Sequence, residues 1–171
     1  NETGRNGDYL PGINLPSELR ASSSAAETLA GAEMVFVAVP SQSLRSNLED
    51  WGALVPSSAV WVSLMKGVEK DTGMRMSEVL TDVLNVAAER FVVISGPNLS
   101  LEIAAEQPAA SVAACVDIDT ATRVAAASTN SYFTTFTNTD VIGTEFGGIL
   151  KNLIAVAIGI VNGVGYGQTN H

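Results

Sequence analysis

Short apolar runs rich in β-branched residues alternate along this chain with segments of helical spacing, and this alternation constrains the fold more than any other feature. The first run, Met34 to Val39, has no polar side chain and stops at Pro40, which is typical of a strand covered on both faces. The next segment, 44–54, carries leucine and tryptophan at helical spacing. Repetition of this unit predicts βαβ connections, a mostly parallel sheet and right-handed crossovers.

The remaining elements follow from the same two periodicities. We predict helices over 25–29, 74–86, 100–105 and 120–128, and strands over 34–39, 59–65, 91–94, 110–116 and 132–137. Ser24 and Glu27 have the spacing of a capping box at the first of these helices. From about Asp140 one long helical segment of small and apolar residues follows, so we predict an α/β domain over 1–138 and the start of a helical domain over 139–171.

Composition narrows the class of protein. The chain has 171 residues, of which 46% are hydrophobic, enough to bury a core. Its net charge of −9 argues against a nucleic-acid partner, which requires a basic surface. The single cysteine, Cys115, lies in a predicted strand, where we expect it to act as a small buried hydrophobe. A lone thiol fits a reducing compartment, and we expect a cytoplasmic location.

No secretory signal is visible at the start of the chain. The longest apolar run, Leu153 to Val161, is far shorter than the roughly 20 residues that cross a bilayer, so we predict no membrane span. The chain lacks an initiator methionine and stops just beyond a glycine-rich turn, so we expect it to be a piece of a longer protein.

Three successive predicted strands end in residues that suit a ligand site. They are followed by Pro40-Ser41, by Lys66-Gly67 and by Ser95-Gly96-Pro97-Asn98. Because parallel strands place their carboxyl ends on one edge, we expect these residues to meet there and to form an anion or nucleotide site. Taken singly, each has an ordinary alternative as a turn, a helix cap or a surface lysine.

Lys151 and Asn152 stand near the start of the last, apolar helix. Helical side chains lean toward the N-terminus, so Lys151 would lie over Gly147 and Gly148, which have no side chains of their own. We predict a cavity there that lets a small molecule reach the ammonium group. The alternative is a lysine that extends from a helix start to solvent.

A glycine-rich dinucleotide loop is missing from the expected place. The sequence has no G-x-G-x-x-G after a strand, and the alternating glycines of 163–167 follow a helix instead. The absence fits a chain that lacks its first βαβ unit.

Six segments together carry a family resemblance, in the order YLPGINLP, VAVPSQSLR, VSLMKGVE, RMSEVL, ISGPNLSLEIA and TDVIGTEFGGILKNLIAVAIGIVNGVGYG. The chain closely resembles bacterial NAD(P)-dependent glycerol-3-phosphate dehydrogenases over essentially its whole length. The resemblance implies a Rossmann-type domain without its first βαβ, followed by the start of an all-helical substrate domain. It also implies reversible hydride transfer between NAD(P)H and dihydroxyacetone phosphate, which gives sn-glycerol 3-phosphate for phospholipid synthesis.

The resemblance also assigns roles position by position. Lys151 matches the family's catalytic lysine, which accepts the proton in the oxidation direction, and Lys66 matches a lysine that contacts both substrate and cofactor. Substrate-binding positions are Lys66, Gly96, Asn98, Lys151 and Asn152. Cofactor-binding positions are Pro40, Ser41, Lys66 and Ser100, the last through its backbone. No metal is implied. This chain departs from the family at two places, with asparagine at 98 instead of serine or threonine and serine at 100 instead of alanine.

Several readings remain open on these grounds. The resemblance implies NAD or NADP without deciding between them, and it allows a homodimer. A related dehydrogenase of the same architecture could act on another hydroxy acid, or the chain could be a non-catalytic dinucleotide-binding module. Because the family's glycine-rich loop and the rest of its substrate domain lie outside these 171 residues, we expect the chain alone to be inactive or nearly so.

Overall fold

A computed structural model of the protein describes residues 5–165, and these form one five-stranded sheet with helices on both faces. The strands are β1 Met34–Val37, β2 Val60–Ser63, β3 Phe91–Ser95, β4 Ala109–Ala114 and β5 Phe133–Asn138. The helices are α1 Ala25–Leu29, α2 Leu44–Trp51, α3 Met76–Leu84, α4 Ser100–Ala104, α5 Ile118–Ser128 and α6 Val141–Gly163. Single turns of 3-10 helix occupy Ser41–Ser43, Gly52–Leu54 and Ala88–Arg90.

The sheet order β1-β2-β3-β4-β5 follows the chain. Strands β1, β2 and β3 are parallel, β4 runs antiparallel to β3, and β5 is parallel to β4. The predicted mostly parallel α/β sheet is therefore confirmed, but the expectation of a parallel crossover at every step is wrong between β3 and β4. The intervening helix α4 has only five residues. A parallel return needs a longer crossover element, so the chain reverses direction instead.

The core lies on both faces of the sheet. On one face α2 and α3 pack against the strands, with the rings of Trp51 and Trp61 stacked at 6.0 Å. On the other face α5 covers a second cluster that includes Cys115. The predicted burial of this cysteine is confirmed, and burial raises the pKa of its thiol. Strand β1 ends the sheet with Phe36 46% exposed, as expected of an incompletely covered edge.

Most element boundaries agree with the sequence prediction to within two residues. The predicted capping box is only half formed. The Ser24 hydroxyl accepts the Glu27 N–H, but the Glu27 carboxylate accepts from the Ser22 hydroxyl instead of the Ser24 backbone. The Ser24 N–H donates to the Ser22 hydroxyl, so Ser22 takes the place of Glu27 in the capping box.

Helix α6 is the longest element and begins against the sheet. The Asp140 side chain accepts the Gly143 N–H at 2.8 Å and so caps its start, and its first turns pack against β3 and β4. Its 23 residues, with a mean hydropathy of 1.5 over the most apolar window, are long and apolar enough to cross a bilayer. The uninterrupted run Leu153 to Val161 is only part of this helix, because the apolar character begins before Lys151, and the expectation of no membrane span stays a prediction. Core helices of globular proteins meet the same criteria of length and composition.

Candidate active site

The carboxyl ends of β1, β2 and β3 lie on one edge, and the three predicted ligand-binding loops that follow these strands contact one another there. Lys66, just after β2, donates from Nζ to the backbone carbonyl oxygen of Gly96, just after β3, at 2.9 Å. Ser41, after β1, packs against Gly67, where an added Cβ would lie 2.6 Å from the serine Oγ. Gly67 also has a φ of +153°, so this position favours glycine for two reasons.

The loop that carries Lys66 is held by a second set of side chains. The Gln42 carboxamide donates to the Val68 carbonyl at 2.7 Å and accepts from the Lys70 N–H at 2.9 Å. The Glu69 carboxylate forms a two-point ion pair with the Arg45 guanidinium, at 2.8 and 2.9 Å. Hydrogen bonds from Arg45 and then from Thr72 lower the pKa of Glu69 to about 2. The backbone on either side of Gly67 is therefore fixed, although the loop lies at the surface.

Gly96 lies where no side chain fits. An added Cβ would approach the Ala110 carbonyl oxygen to 2.6 Å and the Ser111 Oγ to 2.8 Å, because β4 runs back alongside β3 at this point. Asn98, two residues on, donates from Nδ2 to the Ser111 hydroxyl. Its Oδ1 is buried and has no hydrogen-bond partner in the part of the chain that the structure describes. An unpartnered buried acceptor costs free energy, so it is available to a donor on a ligand.

Helix α6 closes the edge through its glycines. A Cβ on Gly148 would lie 2.6 Å from Ser95 Oγ and 3.5 Å from Lys66 Cγ, so the bare backbone is what allows the helix to approach. Gly147, on the adjoining side, faces open space. The result is a cavity of about 290 Å³, which we call the Lys151 cavity. It is lined by Ser95, Gly96, Pro97, Val112, Thr144, Gly147, Gly148 and Lys151.

A second cavity of about 340 Å³ adjoins Lys66, and we call it the Lys66 cavity. It is lined by Phe36, Leu64, Lys66, Ile94, Asn98, Ile103, Ser128 and Phe133. The side chain of Lys66 lies between the two cavities in one respect, since its ammonium group donates to the carbonyl of Gly96, which lines the Lys151 cavity. Larger cavities of about 430 and 460 Å³ lie beside α1 and at the end of α3, away from both lysines, so size alone does not identify the site.

Two positive charges share this edge. Burial of Lys66, and secondly the charge of Lys151, lower the pKa of the Lys66 ammonium group. An ammonium group that is partly desolvated and lies near a second cation is suited to binding an anionic ligand, which relieves both penalties. Among the described residues the chain has only one further lysine, Lys70, and it lines neither cavity.

The other predicted site residues follow β1 or β3, or adjoin Lys151, in the chain. Pro40 precedes the 3-10 turn after β1, and Ser100 is the exposed first residue of α4. Asn152 is exposed on α6 beside Lys151. None of these three residues lines either cavity in the described part of the chain.

Sequence reasoning missed one cluster that holds α6 in place. The buried Glu145 carboxylate accepts from the Arg75 guanidinium at 2.7 Å, from the Ser77 hydroxyl at 2.7 Å and from the Ser77 N–H at 3.0 Å. The acid was visible as a charge within a small and apolar helix. Its partners lie about 70 residues earlier in the chain, and no local pattern indicates such a pairing.

Comparison with known proteins agrees with this geometry. Residues 1–121 match the family described as NAD-dependent glycerol-3-phosphate dehydrogenase N-terminus, and residues 140–171 match the corresponding C-terminus. The glycerol-3-phosphate dehydrogenase [NAD(P)+] of Leifsonia xyli subsp. xyli is 61% identical over 164 residues, which cover 96% of this chain and 44% of that protein. The enzyme of the same name from Streptomyces griseus subsp. griseus is 54% identical over 168 residues, covering 98% and 50%. The chain thus spans about half the length of the curated relatives it matches.

Solved structures place the fold in the same group. The crystal structure of glycerol-3-phosphate dehydrogenase from Coxiella burnetii superposes with a TM-score of 0.88 at 28% identity, over 98% of this chain and 50% of that one. Prephenate dehydrogenase from Aquifex aeolicus, at a TM-score of 0.55 and 13% identity, shares the fold alone. By the match over most of its length and the sequence identity to these relatives, the chain belongs to the NAD-dependent glycerol-3-phosphate dehydrogenase family.

Proposed function

We propose that the full-length protein to which this chain belongs catalyses the reversible, NAD(P)-dependent reduction of dihydroxyacetone phosphate to sn-glycerol 3-phosphate. The observation that carries the proposal is that Lys66 and Lys151 line two cavities at one edge of the sheet. Lys66 donates to the carbonyl of Gly96 in the wall of the Lys151 cavity, which bare glycine backbone keeps open. The substrate is small and anionic, and it carries a ketone that must be polarised. Two lysines at one edge of a chain of net charge −9 supply the local positive charge for both tasks.

Lys151 is the proposed catalytic residue. Reduction of a ketone builds negative charge on its oxygen, and an ammonium group within hydrogen-bonding distance stabilises that charge and then donates a proton to the oxygen. In the oxidation direction the neutral amine accepts the same proton. The open backbone of Gly147 gives a substrate room to approach the lysine from the cavity side.

Lys66 is the proposed anion-binding residue. Its Nζ already donates to the Gly96 carbonyl, which fixes the side chain in the cavity and leaves further N–H donors for a ligand. We place Gly96 and Asn98 in the substrate site with it, and Asn152 at the rim. Asn98 contributes an acceptor that has no partner among residues 5–165.

The residues at this edge fit a nicotinamide cofactor, NAD or NADP, which supplies the hydride when bound. Phe36, Leu64 and Ile94 give the Lys66 cavity an apolar wall suited to a flat ring, and the Asn98 Oδ1 offers an acceptor to an amide N–H. We assign Pro40, Ser41 and the backbone of Ser100 to the same cofactor site, because they follow β1 and β3, which end at this edge. The chain contains no glycine-rich loop after a strand to hold the phosphates.

The domain arrangement is part of the proposal. We assign 1–138 to the dinucleotide-binding domain and 139–171 to the start of the substrate domain, supported by the separate family matches that end at 121 and begin at 140. We treat α6 as a core helix of that second domain instead of a bilayer span, because Glu145 and Lys151 both act at the sheet edge. The cytoplasmic location stays an expectation, and the proposal allows a homodimer without requiring one.

The test is NAD(P)H-dependent reduction of dihydroxyacetone phosphate by the full-length protein, followed at the nicotinamide absorbance. Lys151→Met is expected to lower kcat by roughly 100- to 10,000-fold while binding of NAD(P)H is kept. Lys70→Met is the matched control, because this lysine lines neither cavity, and its kcat should stay within about twofold of the parent protein. Equal kcat in the Lys151→Met variant and the parent would overturn the role of Lys151. Turnover of another hydroxy acid in preference to glycerol 3-phosphate would overturn the substrate.

A further inference from the structure

Glu145 is the one ionised side chain that α6 buries among the described residues. Its side chain is 5% exposed, and three donors at 2.7 to 3.0 Å surround its carboxylate. Burial of a charge is costly unless the geometry of its partners is good, and removal of one partner is strongly destabilising. The carboxylate therefore fixes not only the position of α6 but also its rotation about the helix axis, since the donors are directional.

The partners of Glu145 belong to the segment that carries Lys66. Arg75 pairs through its backbone with Val68 in an isolated antiparallel bridge, and Glu69 N–H donates to the Met74 carbonyl at 2.8 Å. Residues 66–75 thus form a closed loop. Ser77 stands in the first turn of α3, where backbone N–H groups are free to bind a carboxylate. One ion pair therefore ties the helix of Lys151 to the loop of Lys66.

We propose that the Arg75–Glu145 pair positions Lys151, a role that rests on the function proposed above. Glu145 and Gly148 are the only buried residues that the structure describes in α6, and Lys151 follows Gly148 by one turn. Gly148 offers close packing without a directional bond. Glu145 lies about 9 Å before Lys151 along the helix axis, at 1.5 Å per residue. Its directional hydrogen bonds set the rotation of α6 and so keep the ammonium group of Lys151 toward Lys66. Glu145 is a positioning residue and touches no reacting atom.

The direction of the shift in the Lys66 pKa distinguishes this positioning role from a direct electrostatic effect of Glu145. The positive charge of Lys151 contributes to lowering the pKa of Lys66, after burial. An anion favours a protonated amine, so loss of the Glu145 negative charge could by itself only lower the pKa of Lys66. Movement of Lys151 away from Lys66 would instead raise that pKa. The two explanations therefore predict opposite shifts.

The first experiment measures the Lys66 pKa in the full-length protein by NMR of isotopically methylated lysines, with the Lys66 signal assigned from Lys66→Arg. We compare the parent protein, Glu145→Gln, Lys151→Met and the double variant. Glu145→Gln is expected to raise the pKa of Lys66 in the parent background and to have no such effect once Lys151 is methionine. Glu78→Gln is the matched control, because Glu78 is the other carboxylate partner of Arg75 at 2.8 Å but lies on α3. It should leave the Lys66 pKa unchanged.

A lowered or unchanged Lys66 pKa in Glu145→Gln would overturn the proposal, as would an equal rise in both backgrounds. Arg75→Lys is the second variant, because it keeps a cation near Glu145 if Glu145→Gln does not fold. It loses the bond angles of the guanidinium, so a smaller rise of the same sign is expected, and no rise would count against the pair.

The second experiment is kinetic and separates positioning from a structural role. Glu145→Gln is expected to lower kcat by roughly 10- to 100-fold with little change in binding of NAD(P)H, and to lower it by less than about twofold in the Lys151→Met background. Equal losses in both backgrounds would mean that the pair only stabilises the fold. A parent protein that shows the expected Lys66 titrations but does not reduce dihydroxyacetone phosphate would defeat the proposed function and leave the coupling of the two lysines in place.

Discussion

Gly148 determines how closely α6 packs against the sheet. A helix-interior glycine is normally a cost of about 1 kcal/mol relative to alanine. Here a Cβ on residue 148 would lie 2.6 Å from Ser95 Oγ, which occupies the space that the glycine leaves free. Gly147, its neighbour, has nothing within 4 Å of such a carbon. Two adjacent glycines therefore have different physical reasons to be present, and only one of them is a packing requirement.

Alanine substitutions at these two glycines should consequently have opposite effects on stability. Gly147→Ala is expected to raise the free energy of unfolding by about 0.5 to 1 kcal/mol through helix propensity. Gly148→Ala is expected to lower it by about 1 to 3 kcal/mol, because the methyl group displaces Ser95 or pushes the helix outward. Thermal unfolding of both variants beside the parent protein measures the difference. A stabilised Gly148→Ala variant would show that the helix can shift without cost.

At the scale of elements, hydrophobic periodicity in the sequence predicted the helices and strands. Two features that depend on pairing between distant segments were not predicted. The strands, the helices and the meeting of Lys66 with Gly96 all follow from local patterns and from the rule that parallel strands end on one edge. The antiparallel direction of β4 was not predicted, because a short helix between two strands resembles, in the sequence, the crossover helix of a parallel βαβ unit. The Arg75–Glu145 pair was missed for the related reason that its members are 70 residues apart.

The loop between β2 and α3 should lose stability in acid through Glu69. Its pKa is lowered to about 2, so ionised Glu69 stabilises the folded state above the unfolded value near 4.5, and this contribution is lost as pH falls toward 2. Thermal midpoints of the parent protein and Glu69→Gln should differ most at neutral pH, with the parent higher, and converge as pH falls through that window. In an Arg45→Met background, where the ion pair is absent and only the Thr72 hydroxyl still donates to Glu69, the pH-dependent difference caused by Glu69→Gln should be smaller. A constant difference across pH between the parent protein and Glu69→Gln would contradict the assignment.

At the scale of the whole molecule, the second half of α6 is a surface that the described structure leaves uncovered. Leu153, Ile154, Val156, Ile158 and Ile160 are each 55 to 64% exposed on a single helix. Contiguous apolar surface of this kind is rare on monomeric proteins and indicates an interaction surface. Since the relatives are about twice as long as this chain, we expect the remainder of the protein to cover this helix.

Ile158→Lys should therefore have different effects on the 171-residue chain and on the full-length protein. In the 171-residue chain the charge is expected to reduce concentration-dependent self-association without unfolding the sheet, since Ile158 is 55% exposed. In the full-length protein the same charge would enter a covered core and should lower the free energy of unfolding by several kcal/mol. Sedimentation velocity on the first and thermal unfolding of the second measure these effects, with exposed Glu102→Lys on α4 as the matched control. If the full-length protein tolerates Ile158→Lys but loses association with lipid vesicles, α6 faces a bilayer and not a second domain, and the proposed domain arrangement fails.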